Sequence, residues 1–196
     1  MSSIFVQIPA YRDWELSKTV EHAIQKASGN NKISFGIHNC VIFPGEVPIP
    51  KSTVDWAQIK YKESIAPKNI GVNKSRYIAN EFYDGEDYYL QIDSHMRFSN
   101  NWDETLIVTI NKYKELGISK PLITQYPPNY GYNDNFNETY DSVEPFIVTR
   151  ISFHENHQQF KERLLPTQAA VAVDGFCGYT ASVSGGFIFT LGELLK

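Results

Sequence analysis

The residues with the most chemistry in them close an apolar run. In Tyr88-Tyr89-Leu90-Gln91-Ile92-Asp93-Ser94-His95-Met96-Arg97-Phe98 the first five residues are mostly aromatic and aliphatic and have the length of a strand. Asp93, Ser94 and His95 stand where that strand would run out. Asp93 and His95 are two apart, so an extended backbone would turn a carboxylate and an imidazole to one face. Such a pair can ligate a divalent cation of the Mn²⁺ or Zn²⁺ type. In an open α/β sheet, ligands bind in the crevice beyond the carboxyl ends of the strands. The competing reading is that Asp93 caps the next element and His95 is an ordinary surface histidine.

Other reactive residue types form weaker patterns. His154 and His157 flank Glu155 but lack the HExxH arrangement of a zinc protease, and a polar surface segment with Gln158 and Gln159 accounts for them better. Cys40 and Cys177 are too far apart for a CxxC site or a disulfide framework and read as buried thiols. No GxSxG nucleophile elbow is present. The glycine-rich stretch 175–186 lacks the Gly-Lys-Ser/Thr of a phosphate loop.

The elements that must position Asp93 and His95 are legible as hydrophobic patterns. Ile4-Phe5-Val6-Gln7-Ile8 reads as a buried strand ended by Pro9. Asp13 is a candidate helix cap, and Leu16, Val20, Ala23, Ile24 and Ala27 follow at helical spacing before Gly29-Asn30-Asn31 stops the helix. Lys32-Ile33-Ser34-Phe35-Gly36-Ile37 is a second strand, which completes a βαβ unit and implies a right-handed crossover into a parallel sheet. Strands at 4–8, 33–37 and 88–92 should therefore be neighbours. Between His38 and Val72, Pro44, Pro48, Pro50 and Pro67 predict largely irregular chain, with a brief strand or turn near 55–61.

A helix capped by Asn73 should carry Arg76, Tyr77, Ile78, Phe82 and Tyr83 and end at Asp84-Gly85. After the Asp-Ser-His stretch, Asn101 and Glu104 form a capping-box pattern for a helix with Leu106, Ile107, Ile110 and Tyr113 on one face and Gly117 at its end. Leu122-Ile123-Thr124-Gln125-Tyr126 reads as a strand closed by Pro127-Pro128. The stretch 129–141, rich in Tyr, Asn and acidic residues, reads as a loop: either a plain solvated one or a surface whose rings stack on sugars. Residues 146–153 and 169–173 are further strand candidates. The expectation is one α/β domain over 1–196, a mostly parallel sheet flanked by helices.

Composition narrows the function classes. With 42% hydrophobic and 20% charged residues the chain is globular, not disordered. Lys and Arg number 18 against 22 Asp and Glu, a net charge of −4 with no basic block, which excludes nucleic acid as a natural partner. The start Met1-Ser2-Ser3-Ile4-Phe5 has no basic region or long apolar run, so the expectation is a soluble, cytoplasmic protein with no membrane partner.

The run YYLQIDSHMRF, followed by Asn101-Trp102-Asp103, resembles the signature of the hydroxyproline and polypeptide GlcNAc-transferase family, itself related to the polypeptide GalNAc-transferases. The resemblance extends back to Phe5-Val6-Gln7-Ile8-Pro9-Ala10-Tyr11-Arg12-Asp13 and Ser75-Arg76-Tyr77-Ile78-Ala79, and forward to Ser184-Gly185-Gly186-Phe187-Ile188-Phe189. It implies a GT-A (nucleotide-diphospho-sugar transferase) fold. Its DxD-like motif, here Asp93 and His95, would hold Mn²⁺ or Mg²⁺ against the donor's diphosphate. It also implies a UDP-sugar donor, most readily UDP-GlcNAc, and a retaining transfer onto a hydroxyl of a protein or glycan acceptor.

On that resemblance Arg76 meets the donor, with a surface salt bridge as the alternative. The loop after the first strand, with Pro9, Tyr11 and Arg12, meets ribose or phosphate, while Asp13 caps the helix. His38 and Asn39 read the uracil, although His38 can equally be a turn histidine. Ser94 lies beside the metal pair. Ser184, Gly185 and Gly186 bring backbone close to the donor sugar, or serve a tight turn. In the family, an acidic segment and a later histidine follow the GGFIF-like strand; here Leu195-Lys196 come first, so the third metal ligand and part of the acceptor side are expected to be missing. The rival function is a non-catalytic nucleotide-sugar or glycan-binding module of the same fold.

Overall fold

A computed structural model describes residues 1–47, 58–66, 71–124, 129–140, 147–154, 165–172 and 183–195. Its packing divides into two units, 1–123 with 185–196, and 124–184. The elements of the first are β1 (Ser3–Tyr11), α1 (Leu16–Lys26), β2 (Lys32–Val41), β3 (Ile59–Ile65), α2 (Val72–Asn80), β4 (Tyr88–Ile92), α3 (Trp102–Glu115), β5 (Leu122–Thr124) and, after the second unit's strands, β10 (Phe187–Leu191). The sheet order is β3-β2-β1-β4-β10-β5. β1 pairs parallel with β2 and β4, and β2 parallel with β3, so the three strands expected to be neighbours are neighbours. β10 runs antiparallel to β4, pairing Phe187 with Ile92 and Leu191 with Tyr88.

Strand alternation sorts side chains onto two faces. Ile4, Val6 and Ile8 of β1, Ile33, Phe35 and Ile37 of β2, and Tyr88, Leu90 and Ile92 of β4 share one buried cluster with Leu16, Val20 and Ala23 of α1 and Trp102 and Ile110 of α3. Trp102 locks the two helices together, its Nε1–H donating to Ala23 O at 2.9 Å. The odd-numbered β1 residues face α2 instead. Phe5 packs on Tyr83 and Tyr89, and Gln7 donates to Arg76 O at 2.9 Å. This arrangement has one functional result: α2, which carries Arg76, is fastened to the opposite face of the sheet from α1.

Several boundaries differ from the sequence reading. β1 runs through Pro9 to Tyr11. Its ladder to β4 has already ended at Gln7, so the missing N–H of Pro9 breaks no bond on that side. β2 extends past Ile37 to Val41 and takes His38 and Asn39 into the strand. A seven-residue strand, β3, occupies part of the stretch expected to be irregular. α1 begins at Leu16, and Asp13 accepts the Glu15 N–H (3.0 Å) in the turn before it. α2 begins one residue before Asn73, with Gly71 as its cap. Gly117, at φ +87°, closes α3 as expected.

The capping box at Asn101 does not form. Asn101 sits at φ +56° without a side-chain cap bond, and its N–H donates to Lys26 O at 2.7 Å. Tertiary structure uses Asp103 there instead. Fully buried, it accepts from Ser28 N–H (2.8 Å), Ser28 Oγ–H (2.7 Å) and Asn31 Nδ2–H (2.8 Å), tying α3 to the α1–β2 connection. Burial pushes the Asp103 carboxyl up, but these donors outweigh it and hold it below its ordinary range. Asp103→Ala should cost about 2–3 kcal/mol near neutral pH, since hydrogen bonds to a charged group are the strong ones. A folded pKa below the unfolded value contributes stability above about pH 4 and loses it as pH falls through the folded value. Urea unfolding of both proteins across pH 2–7 should therefore show the difference shrinking below about pH 4.

In the second unit the stretch expected as a loop is a hairpin. β6 (Tyr130–Tyr132) pairs antiparallel with β7 (Glu138–Tyr140). Asn133 Oδ1 organises the turn by accepting the N–H groups of Asn135 and Asn137, both at 3.0 Å. β8 (Ile147–His154) and β9 (Leu165–Ala172) form a second antiparallel pair near the strands expected at 146–153 and 169–173. His157 and Cys177 lie outside the described residues.

Candidate functional site

β1, β2, β3 and β4 are parallel, so their carboxyl ends share one edge of the sheet. That edge gathers the predicted residues into three groups. The first surrounds Asp93, just past the end of β4. Its backbone N–H donates to Gly186 O (3.3 Å), and its Oδ1 lies 3.4 Å from Arg76 Nη2. The same Nη2 donates to Gly185 O at 2.8 Å, and Gln91 Nε2 donates to that carbonyl from below, also at 2.8 Å. The Arg76 guanidinium is thus clasped between α2 and the start of β10.

Arg76 Nε is buried and has no partner among the described residues. At both glycines a larger residue would press on the ends of these side chains. A Cβ at Gly186 would stand 2.6 Å from Asp93 Oδ2, and one at Gly185 would stand 3.1 Å from Arg76 Nη1.

The second group is Asp13, Ser94 and His95. Asp13 Oδ2 accepts the Ser94 hydroxyl at 2.6 Å and lies 2.8 Å from His95 Nδ1. Partial burial pushes the Asp13 carboxyl up, but the hydrogen bonds from His95, Ser94 and the Glu15 amide, with the charge of His95, hold it at about 2. The hydrogen bond to Asp13 pushes the His95 imidazole up against a smaller opposing effect of burial, and the charges of Asp13, Asp93 and Glu15 add to the rise. The whole turn 93–98 rides on one face of α1 and the residues before it. Thr19 Oγ1 donates to Ser94 O (2.7 Å) and accepts Met96 N–H (2.9 Å). Arg97 pairs with Glu15 (2.5 Å), and Phe98 N–H donates to His22 Nδ1 (2.9 Å).

This geometry corrects one expectation. Asp93 and His95 do not alternate on a continuing strand. The β4 ladders end at Gln91 and Ile92, the chain bends at Ser94 and His95, and the two side chains reach different partners, Arg76 for Asp93 and Asp13 for His95.

The third group lies at the ends of β1 and β2. His38 is fully buried, with Nδ1 2.7 Å from Ser75 Oγ and Nε2 2.9 Å from Ser64 Oγ, so both ring nitrogens are engaged within the fold. Burial, and then the charge of Lys62, push its pKa down. Asn39 is also buried; its Nδ2 donates to Tyr61 OH (3.1 Å) and Val47 O (3.3 Å), while Oδ1 has no partner among the described residues. Arg12 adopts φ +51°, a left-handed conformation uncommon outside glycine. Its N–H donates to Cys40 O (3.0 Å), and its Nε pairs with the buried Glu46 at 2.7 Å. Pro9 is buried, and Tyr11 is 61% exposed at this rim. Ser184 belongs to the second unit, where its N–H donates to Thr124 Oγ1 at 2.9 Å.

Sequence reasoning passed over Glu46 and Gln91 and gave Asp13 only a capping role. Glu46 carried no local signal, because its partner is 34 positions away. Gln91 did carry one: a polar residue in an otherwise apolar strand needs a hydrogen-bond partner when buried.

Among the described residues no group of three or more His, Cys, Asp and Glu could hold a metal ion by itself. Asp93 and His95 offer one oxygen and one nitrogen donor, which suits a borderline divalent cation that takes its remaining ligands from phosphate and water. The Arg76 guanidinium, held by Gly185 O beside Asp93, puts a fixed positive charge at this edge, which suits a ligand that also carries an anion.

A family model described as Glycosyltransferase (GlcNAc) matches residues 45–196. The chain belongs to the GlcNAc glycosyltransferase family. The match spans Arg76, Asp93, His95, Gly185 and Gly186. A search of curated proteins finds no match to this glycosyltransferase. Membership implies a nucleotide-sugar donor and an acceptor. No described helix of the glycosyltransferase is long and apolar enough to cross a membrane.

Proposed function

We propose that this glycosyltransferase transfers GlcNAc from UDP-GlcNAc to a hydroxyl of a protein or glycan, with retention, on a GT-A-type fold. The observation that carries the reading is the clasp of Arg76 beside Asp93 at the carboxyl end of β4, one bend away from His95. Sugar transfer breaks the bond between the sugar's anomeric carbon and the diphosphate, so negative charge grows on the leaving group and must be stabilised. Arg76 supplies one fixed positive charge, pre-positioned by Gly185 O. Asp93 and His95 would hold Mn²⁺ or Mg²⁺, which supplies Lewis-acid neutralisation of the diphosphate.

The nucleoside half fits the rim at β1 and β2. Asn39 Oδ1 is an acceptor without a partner and suits the uracil N3–H, whereas His38 supports β2 from inside the fold. Tyr11 offers an exposed ring and Arg12 a guanidinium, positioned by Glu46, to the base, ribose or phosphate. Gly185 and Gly186 let the backbone pass close to the Asp93 carboxylate and the Arg76 guanidinium, beside the place proposed for the donor sugar.

The test is a UDP-release assay with UDP-GlcNAc, with and without Mn²⁺, alongside thermal melts with UDP-, GDP- and TDP-sugars. UDP release that needs the cation, with a melting temperature raised by UDP-GlcNAc and not by GDP-sugars, is the expected result. Stabilisation without UDP release would favour a binding module. Release of UMP or sugar phosphate would mark a nucleotide hydrolase.

A further inference from the structure

We infer that Asp13 is a positioning residue for His95, fixing the ring so that its Nε2 lone pair is presented to the metal–diphosphate site. The inference rests on the metal reading proposed above and adds a residue to it. An ionised carboxylate has no proton to give, so in the 2.8 Å contact His95 Nδ1 must carry the hydrogen and Asp13 Oδ2 must accept it. In the neutral ring that leaves Nε2 as the unprotonated nitrogen. Nε2 has no protein partner among the described residues, and the His95 side chain is 60% exposed.

The carboxylate is itself held still. Oδ2 also accepts the Ser94 hydroxyl (2.6 Å) and Oδ1 accepts the Glu15 N–H (3.0 Å), while the Asp13 side chain is only 19% exposed. With two donors besides the ring on one short side chain, the carboxylate is fixed independently of His95, and the ring follows it. A bare helix cap would need only the Glu15 contact. The arrangement, carboxylate to Nδ1–H with Nε2 outward, is the way proteins orient histidines toward cations. Asp13 also crosses from the β1–α1 connection to the turn after β4, 82 positions along the chain, so it joins the nucleoside side of the edge to the diphosphate side.

The experiment reads the ring directly. Nitrogen-15 NMR of the full chain without metal, at a pH where the imidazole is neutral, distinguishes the two tautomers, and His95→Gln assigns the signals. Wild-type His95 should be the Nδ1–H form. Asp13→Ala should convert it to mainly the Nε2–H form and weaken Mn²⁺ binding in the presence of UDP about tenfold, the lower end for loss of a ligand's orienting partner. Asp13→Asn, whose amide oxygen can still accept from Nδ1–H, should restore the tautomer and part of the affinity. It also serves if the alanine variant folds poorly.

An unchanged tautomer in Asp13→Ala overturns the inference. So does a changed tautomer with Mn²⁺·UDP affinity equal to wild type. Failure of the wild-type protein to bind Mn²⁺ with UDP would instead overturn the metal reading, and with it the role given to Asp13; the wild-type titration alone tells these failures apart.

Discussion

Asp93→Ala should abolish cation-dependent UDP binding, a loss beyond the roughly 10–100-fold that removal of a metal's outer-shell partners costs. The change removes the charged member of a two-residue donor set, and no third described ligand is available to replace it. It also leaves the Arg76 guanidinium with Gly185 O as its remaining hydrogen-bond partner among the described residues, so the clasp loses its anionic side. The fold should survive, because the Asp93 side chain is 40% exposed and its backbone bond to Gly186 O does not depend on the side chain. Calorimetry with UDP and Mn²⁺, with a thermal melt on the same sample, separates the two effects. Wild-type affinity in Asp93→Ala would discard the metal assignment, whatever the melt shows. Asp93→Asn keeps the volume and removes the charge, so it should fall between the two.

Gly36→Ala should be the most damaging small change to the scaffold. Gly36 lies on β2, on the face that receives α2. A Cβ there would stand 2.6 Å from the carbonyl oxygen of Ala79 in α2 and would collide with the Phe5 ring. Neither obstacle yields easily: one is backbone, the other a fully buried ring stacked on Tyr89 and packed edge-to-face with Tyr83. Overpacking of this kind costs about 3 kcal/mol, the upper end of the usual range. For a chain of this length that corresponds to a fall in melting temperature of about 6–12 °C. The consequence reaches the site, because relief of the clash moves α2 away from the sheet and α2 carries Arg76. Folded Gly36→Ala should therefore bind UDP more weakly than wild type although residue 36 touches no ligand. Unchanged stability would show that α2 lies farther from β2 than described. Both outcomes are read from urea unfolding and calorimetry.

Hydrophobic pattern alone determined β1, α1, β4 and the first half of β2. The apolar run of β1 and the run Tyr88-Tyr89-Leu90-Gln91-Ile92 read as buried strands, and Leu16, Val20 and Ala23 at helical spacing read as a helix against them. A helix between two such strands forces parallel pairing, which places Arg12, Asp13 and Asp93 at one edge before any coordinate is known. The candidate pair Asp93 and His95 was visible for the same reason: polar residues ending an apolar strand stand out.

What the tertiary structure decided is every pairing between residues distant in the chain. Local pattern cannot show that β2 continues through His38 and Asn39, because a buried strand tolerates polar residues only when partners such as Ser64, Ser75 and Tyr61 arrive from other elements. It cannot show that Asn101 makes no cap bond and that Asp103 instead ties α3 to the α1–β2 connection, whose residues supply its donors. Nor can it show that 130–140 pairs as a hairpin, since its polar composition suits a loop equally well. The site follows the same division. The residue types were legible, but that Arg76 turns to Asp93 while His95 turns to Asp13 depends on where the β4 ladders end and the chain bends. That point is set by β1 and β10, strands separated from it by dozens of residues on either side.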